Sequence, residues 1–228
     1  MPHSFRVKRS SVGQVVYEQL KQLILQHAVE PGEKIGLVSL AQKLEVSLTP
    51  LREALTRLKD EGFVVHHPNR GYFAAEITAQ EVKELYEVRE AIESHALTLG
   101  ISQVNEQDLQ AMVDAVEEHA RAMVERDAFF EDKILHLRLA APARNQLLLR
   151  MLEQVLDRAI MKLRVGALPR ERGPAAYTEH LDILEAIRKR NAEEAIRHLR
   201  KHLRNSRDYI LAFLKEHGKE HTPMEGDR

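Results

Sequence analysis

The chain has 228 residues, of which 43% are hydrophobic and 30% charged, and its formal net charge at neutral pH is −1. That length can bury one large core or two smaller ones, and the composition is that of an ordinary globular protein. Cysteine is absent, which excludes disulfides, thiolate zinc sites and a cysteine nucleophile, so a bound metal must be held by His, Asp or Glu.

Residues 1–10 are basic and polar and read as a flexible arm. They contain no apolar signal core, and no apolar run in the chain approaches the roughly 20 residues that span a bilayer, so a cytoplasmic protein without a membrane partner is expected. From Ser11 to about His27, residues Val15, Val16, Leu20, Leu23 and Ile24 recur at helical spacing. Pro31-Gly32 breaks the chain. A short helix with Leu37, Leu40, Ala41 and Leu44 follows, then a turn around Glu45-Val46. A second helix begins near Ser47, with Ser47 or Thr49 as its cap and Pro50 in its first turn. Leu51, Ala54, Leu55 and Leu58 form its apolar face, and Gly62 suits a left-handed C-terminal cap. Phe63–His67 and Tyr72–Ala75 are β-prone runs around Pro68-Asn69-Arg70-Gly71, the pattern of a β-hairpin.

Helix, helix, turn, helix, hairpin is the layout of a winged helix-turn-helix, predicted here over residues 11–76. Ser47, Thr49 and Arg52 stand at the start of the second helix of the pair, where short polar and basic side chains meet base edges and phosphates. Arg57 lies further along and is expected to reach a phosphate. Arg70 and Gly71 at the hairpin tip suit a wing on the DNA backbone or minor groove. Arg6, Lys8 and Arg9 of the arm can add phosphate contacts. Residues 1–77 carry ten Lys/Arg against eight Asp/Glu, which leaves this part slightly basic and the remainder slightly acidic. Each residue taken singly also admits a plain reading, as a cap or a solvated helix position.

The run LAQKLEVSLTPLREALTRLKDEGFV, preceded by Pro31-Gly32 and followed by Gly71, resembles the GntR family of winged-helix regulators across residues 15–74. The family usually has Arg directly after the Ser of this motif. Here Leu48 stands in that place, which shifts direct readout toward Arg52.

From Ala79 to about Leu214 nearly all of the chain is helical in period. Breaks at about Ser102–Asn105, Arg126–Ala128, Ala140–Arg144, Gly166–Pro174 and Asn191 imply six helices in an antiparallel bundle. The fold class is thus mainly α: a winged helix-turn-helix, then a helical effector domain over 77–216 and a polar tail over 217–228. Among twelve histidines, His136 stands four residues after Asp132 on one helix face. A helical histidine is more often a surface or satisfied residue than a ligand, so spacing alone leaves both readings open.

Val82, Leu85-Tyr86-Glu87-Val88-Arg89-Glu90-Ala91-Ile92-Glu93, then Phe130-x-Asp132-x-x-x-His136, Asn145, and His180-x-x-Ile183-Leu184 with Asn191 and His202-Leu203, are similar to the FCD effector domain of the FadR-like branch. The resemblance implies that Asp132, His136, His180 and His202 bind a divalent metal such as Zn, Ni or Mn, with His198 as a competitor for His202. Asn191 stands at a helix start. The resemblance also implies a small carboxylate effector on Arg89, and by position Asn145 and Arg164 could join it. Arg89 can equally pair with Glu93 or Glu90, and Arg164 can be a solvated helix end. The expected protein is a homodimeric, ligand-responsive repressor on two-fold operator DNA. The other readings are a metal-dependent hydrolase fused to a DNA-binding module, and a DNA-architectural protein without a sensor.

Overall fold

The period of the apolar residues sets the first helix, α1 (Val12–Leu25), whose Val16, Tyr17, Leu20 and Ile24 are buried. In the computed structural model, which describes residues 12–125, 128–162 and 172–217, α1 packs on α3 (Leu48–Asp60), and α2 (Leu37–Lys43) completes the three-helix core. The turn between α2 and α3 is made by Glu45, which takes a left-handed conformation with φ 54°. Ser47 occupies the N-cap position of α3 with extended backbone, but its side chain makes no capping hydrogen bond. The expected Ser or Thr hydroxyl cap is thus not used, and the first turn of α3 ends on exposed polar side chains. Gly62, at φ 80°, ends the helix as its lack of a Cβ allows.

Strands β1 (Val64–His67) and β2 (Gly71–Ala74) pair antiparallel, with Val65 opposite Phe73 and His66 opposite Tyr72. The chain break at Pro31-Gly32 does more than interrupt a helix. It lays residues 32–35 along β2: Gly32 N donates to Ala74 O (2.9 Å), Ala74 N to Glu33 O (2.9 Å) and Ile35 N to Tyr72 O (2.8 Å). The hairpin is therefore anchored to the α1–α2 connection through its second strand.

The chain divides into two compact units between Glu76 and Ile77. In the second, Thr78 caps α4 (Ala79–Gly100), its hydroxyl oxygen accepting from Glu81 N (3.1 Å). The helices that follow are α5 (Glu106–Glu125), α6 (Ala128–Ala140), α7 (Gln146–Lys162), α8 (Arg172–Arg188) and α9 (Ala192–His217). Asn191 starts α9 as expected, accepting from Glu194 N (3.1 Å). Among the described residues, α8 packs along α9, α5 along α6, and α4 lies against both α6 and α9. Lys133 on α6 reaches Asp157 (2.7 Å) and Glu153 (3.1 Å) on α7, a buried cross-helix pair that fixes α6 in rotation.

Gly100 closes α4 against the short Ala141–Ala143 segment between α6 and α7. A Cβ there would stand 2.5 Å from Ala143 N and 2.7 Å from Pro142 C, both backbone atoms. Gly100→Ala is expected to lower stability by about 1–3 kcal/mol through overpacking, read as a drop in the thermal midpoint by circular dichroism. An unchanged midpoint would contradict this close approach of α4 to the α6–α7 connection.

Candidate functional site

Two constellations hold the residues singled out from sequence. The first is the exposed end of α3. Leu51, Ala54, Leu55 and Leu58 bury one face of that helix, so Ser47, Thr49 and Arg52 are left on its open side. Arg70 sits at the hairpin turn, its guanidinium 5.6 Å from the Phe73 ring centroid, and Gly71 begins β2 at φ 98°. Arg57 is placed differently from the expected phosphate contact. Its guanidinium lies 3.9 Å over the Tyr17 ring and donates to Gln14 Oε1 (2.7 Å), while Tyr17 Oη donates to Glu61 (2.8 Å). These contacts hold Arg57 against α1, so it secures the angle at which α3 is presented.

The second constellation lies in the helical unit. Asp132 and His136, one turn apart on α6, face His180 from α8 and His202 from α9. One ligand atom of each lies within 4.8 Å of all the others. Asp132 Oδ1 is 3.6 Å from His136 Nε2 and 3.6 Å from His180 Nε2, and His180 Nε2 is 3.2 Å from His202 Nε2. Donors at bonds of about 2.0–2.1 Å around one ion stand about 2.9–3.4 Å apart, so the pairs at 3.2 and 3.6 Å are already near that spacing and the wider pairs, up to 4.8 Å, must draw together to share an ion. His136 Nε2 is buried with no hydrogen-bond partner among the described residues, which an ion at the centre would remedy. The three imidazoles are buried and Asp132 is half-buried. His198, one turn before His202 on α9, instead faces Asp182 and Glu194, at 3.8 and 3.7 Å.

Carboxylates orient the imidazoles. His136 Nδ1 donates to Glu93 Oε2 (2.5 Å), and Glu93 Oε1 accepts from Arg89 Nε (2.8 Å). His202 Nδ1 donates to Glu179 Oε2 (2.9 Å), and Glu179 is held in turn by Arg172 and by Asn205 Nδ2 (2.6 Å). Such partners fix the tautomer that presents a bare Nε2 to a metal. His119 from α5 adds a fourth imidazole, its Nε2 4.0 Å from Asp132 Oδ1 and its ring edge-on to His180.

The charges follow from this packing. Burial disfavours the charged form of Glu93, but His136 and Arg89 outweigh it and hold the carboxyl at about 2. Burial would likewise lower His136, yet Glu93 and Asp132 raise it to about 9. Burial, and the imidazoles of His202 and His136 beside it, push His180 well below the usual histidine range, and burial lowers His202. Burial would raise Asp132, but His136, His119 and His180 hold it well below the usual carboxylate range. Without metal, the centre is one carboxylate facing one imidazolium and two neutral imidazoles.

Of the expected effector residues, Arg89 is buried beside this cluster. Its Nε pairs with Glu93, its guanidinium lies 4.9 Å from the Tyr86 ring centroid, and its Nη2 has no hydrogen-bond partner among the described residues. Asn145 stands at the start of α7. It is exposed, and its side-chain oxygen accepts from Leu147 N and Leu148 N (3.1 Å each), so it caps that helix. Arg164 lies outside the described residues, as do Arg6, Lys8 and Arg9.

The FCD domain family matches residues 84–205, and the gntR family of bacterial regulatory proteins matches residues 13–73. The chain belongs to the GntR family and carries an FCD domain. This GntR regulator is 28% identical over 208 residues to the helix-turn-helix transcriptional regulator YdhC of Bacillus subtilis (strain 168), covering 90% of this chain and 92% of that protein. It is 26% identical over 210 residues to the helix-turn-helix transcriptional repressor RspR of Escherichia coli (strain K12), covering 90% and 91%. Its fold matches a GntR transcriptional regulator from Rhodococcus sp. RHA1 with a TM-score of 0.77 at 22% identity, over 88% of this chain and 97% of that one. The GntR regulator is thus a DNA-binding transcription regulator and not an enzyme; the hydrolase reading finds no support in its family or relatives.

Glu93, Glu179 and His119 were not singled out from sequence. Glu93 lies in the run that resembles the FCD domain, and its i, i+4 pairing with Arg89 was readable, but its reach to His136 depends on how α4 packs on α6. Glu179 and His119 carried no signal beyond their residue type.

Metal binding requires the proton of His136 to leave, because Nε2 is both the proton site and the ligand atom. His136 is protonated below about 9, while His180 and His202 are held low and already neutral near pH 7.5. Calorimetric titration of metal-free protein with Zn, Ni or Mn near pH 7.5 is expected to release about one proton, seen as heat that scales with the buffer's ionisation enthalpy. The release should fade as pH rises past about 9. Glu93→Gln is expected to weaken metal binding by about 10–100-fold with all four ligands intact. Unaltered affinity in Glu93→Gln would contradict its orienting role.

Proposed function

We propose that this regulator is a cytoplasmic, homodimeric repressor whose residues 77–216 hold a divalent ion (Zn, Ni or Mn) on Asp132, His136, His180 and His202. A small organic or sugar acid is its effector, bound at that centre with Arg89 as the counter-charge. The observation that carries this reading is the pair of buried, unsatisfied donors at one place: His136 Nε2 facing the ligand atoms, and Arg89 Nη2 one hydrogen-bonded link away through Glu93. A buried guanidinium nitrogen without a partner is costly unless an anion completes it. An ion that takes six ligands, as Mn does, retains open positions beyond the four protein ligands where a carboxylate oxygen can add. Burial opposes the charged form of Arg89, but Glu93, Tyr86 and Asp132 raise its pKa further, so it stays cationic at every working pH.

Ser47, Thr49 and Arg52 on α3 read the major groove, with Arg70 and Gly71 of the wing on the adjacent backbone or minor groove. Arg57 acts by holding α3 to Tyr17 and Gln14 and adds at most a phosphate contact. Operator symmetry mirrors that of a dimer. Among the described residues no helix is long and apolar enough to cross a membrane, in keeping with a place beside DNA. That RspR is a repressor supports repression as the sign. Release from DNA by effector needs only that the acid bind the DNA-incompetent arrangement more tightly than the competent one.

The test is fluorescence anisotropy on the tightest duplex recovered from a randomised pool, titrated with a panel of organic and sugar acids. An effective acid is expected to weaken DNA binding about tenfold or more, a coupling of ordinary size. That response should be lost in Arg89→Gln and after chelation, with DNA affinity in the absence of acid unchanged. An acid response that survives both would remove the metal and Arg89 from sensing.

A further inference from the structure

Leu48 is out of place by ordinary rules. It is the first residue of α3, on the same stripe as Leu51 and Leu55, which are fully buried, yet it is 37% exposed. Val38 on α2 is 65% exposed. Together they line a cleft of about 390 Å³ at the α2–α3 junction, whose other walls are Ala41, Gln42, Glu45, Val46 and Ser47. The cleft is lined by Ser47 and Leu48 at the start of α3, and the exposed Thr49 and Arg52 follow on that helix. An apolar surface at this place must meet whatever that end of the helix meets.

That partner is DNA, since the chain is a helix-turn-helix regulator and the N-terminal residues of the second helix contact base edges. Of the four bases, only thymine presents an apolar group in the major groove, its C5-methyl, and apolar side chains are the ones that read it. A polar base edge against Leu48 and Val38 would lose water without gaining a hydrogen bond. The geometry points to Leu48, backed by Val38, as a specificity-determining residue that packs on the methyl group of a thymine in each operator half-site. Arg52, one turn along α3, supplies the polar contact to a neighbouring base or phosphate. This inference rests on the DNA-reading role of α3 and is independent of the metal centre and its effector.

The test alters the DNA and leaves the protein intact. In the tightest duplex from the randomised pool, each thymine is replaced singly by deoxyuridine, which lacks only the methyl group. Wild-type protein is expected to lose about fourfold in affinity at one thymine per half-site, the value of one buried methyl group. Leu48→Ala should bind the thymine and uracil duplexes equally at that position, so the two changes are coupled in a double-mutant cycle. Its melting temperature, taken alongside, should match the wild type, because Leu48 lies at the open end of the core. No uracil-sensitive thymine, or a sensitivity that persists undiminished in Leu48→Ala, would overturn the inference and leave DNA binding itself untouched. Failure to recover any duplex would overturn the DNA-reading face as a whole, and this residue's role with it.

Discussion

The helical unit depends on one constraint: charge taken out of water must be paired. Asp132, His136, His180, His202, Glu93 and Arg89 bring carboxylates, imidazoles and a guanidinium into one region from α4, α6, α8 and α9. Such a cluster is tolerable only because each group answers another. Glu93 lies between Arg89 and His136, and Glu179 holds His202. What is left over is a set of donors turned toward a common point, and the buried Nε2 of His136 among them lacks a partner. The bundle is therefore organised around a place that could hold a divalent ion, and under the proposed function its outer residues are as much part of that place as Asp132, His136, His180 and His202.

The DNA-reading unit is built on the opposite principle. Its core is almost wholly apolar, drawn from α1, α2, α3 and the start of the hairpin. Polar contacts enter at the rim: Arg57 over Tyr17, Tyr17 to Glu61, and Arg57 to Gln14. They set the angle of α3 without using the residues at its first turn. Strand pairing of residues 32–35 with β2 does the same for the wing. A rigid scaffold thus presents a short run of side chains from Ser47 to Arg52, which is where sequence choice can alter base choice.

Much of this was legible in the sequence because local signals carried it. Gly62 ends α3, the turn at residues 68–71 joins β1 to β2, and Asn191 starts α9, each through backbone or capping chemistry that needs no partner elsewhere. Asp132 and His136 were visible as an i, i+4 pair, and the resemblance to the FCD domain joined them to His180 and His202. The rest depended on tertiary packing. The same i, i+4 logic that pairs Arg89 with Glu93 says nothing of His136, which meets Glu93 only because α4 lies on α6. Glu179 supports His202 across the α8–α9 contact. Asn145, a small polar residue at a helix start, caps its own helix, a local role that its residue type and place allow. Ser47 shows the converse, a capping residue in the right place whose hydroxyl is not used as a cap.

The central claim is that the Asp132/His136/His180/His202 cluster is a metal centre at which an organic acid binds. The most direct measurement is the melting temperature of the purified protein against a panel of organic and sugar acids, stripped with EDTA and again with Zn, Ni or Mn restored. A ligand specific to the native state stabilises by about 2.7 kcal/mol at a hundredfold excess over its dissociation constant. The account predicts a rise with metal alone, and a further rise with one class of acid that disappears on chelation. A melting temperature indifferent to metal and to every acid would contradict it.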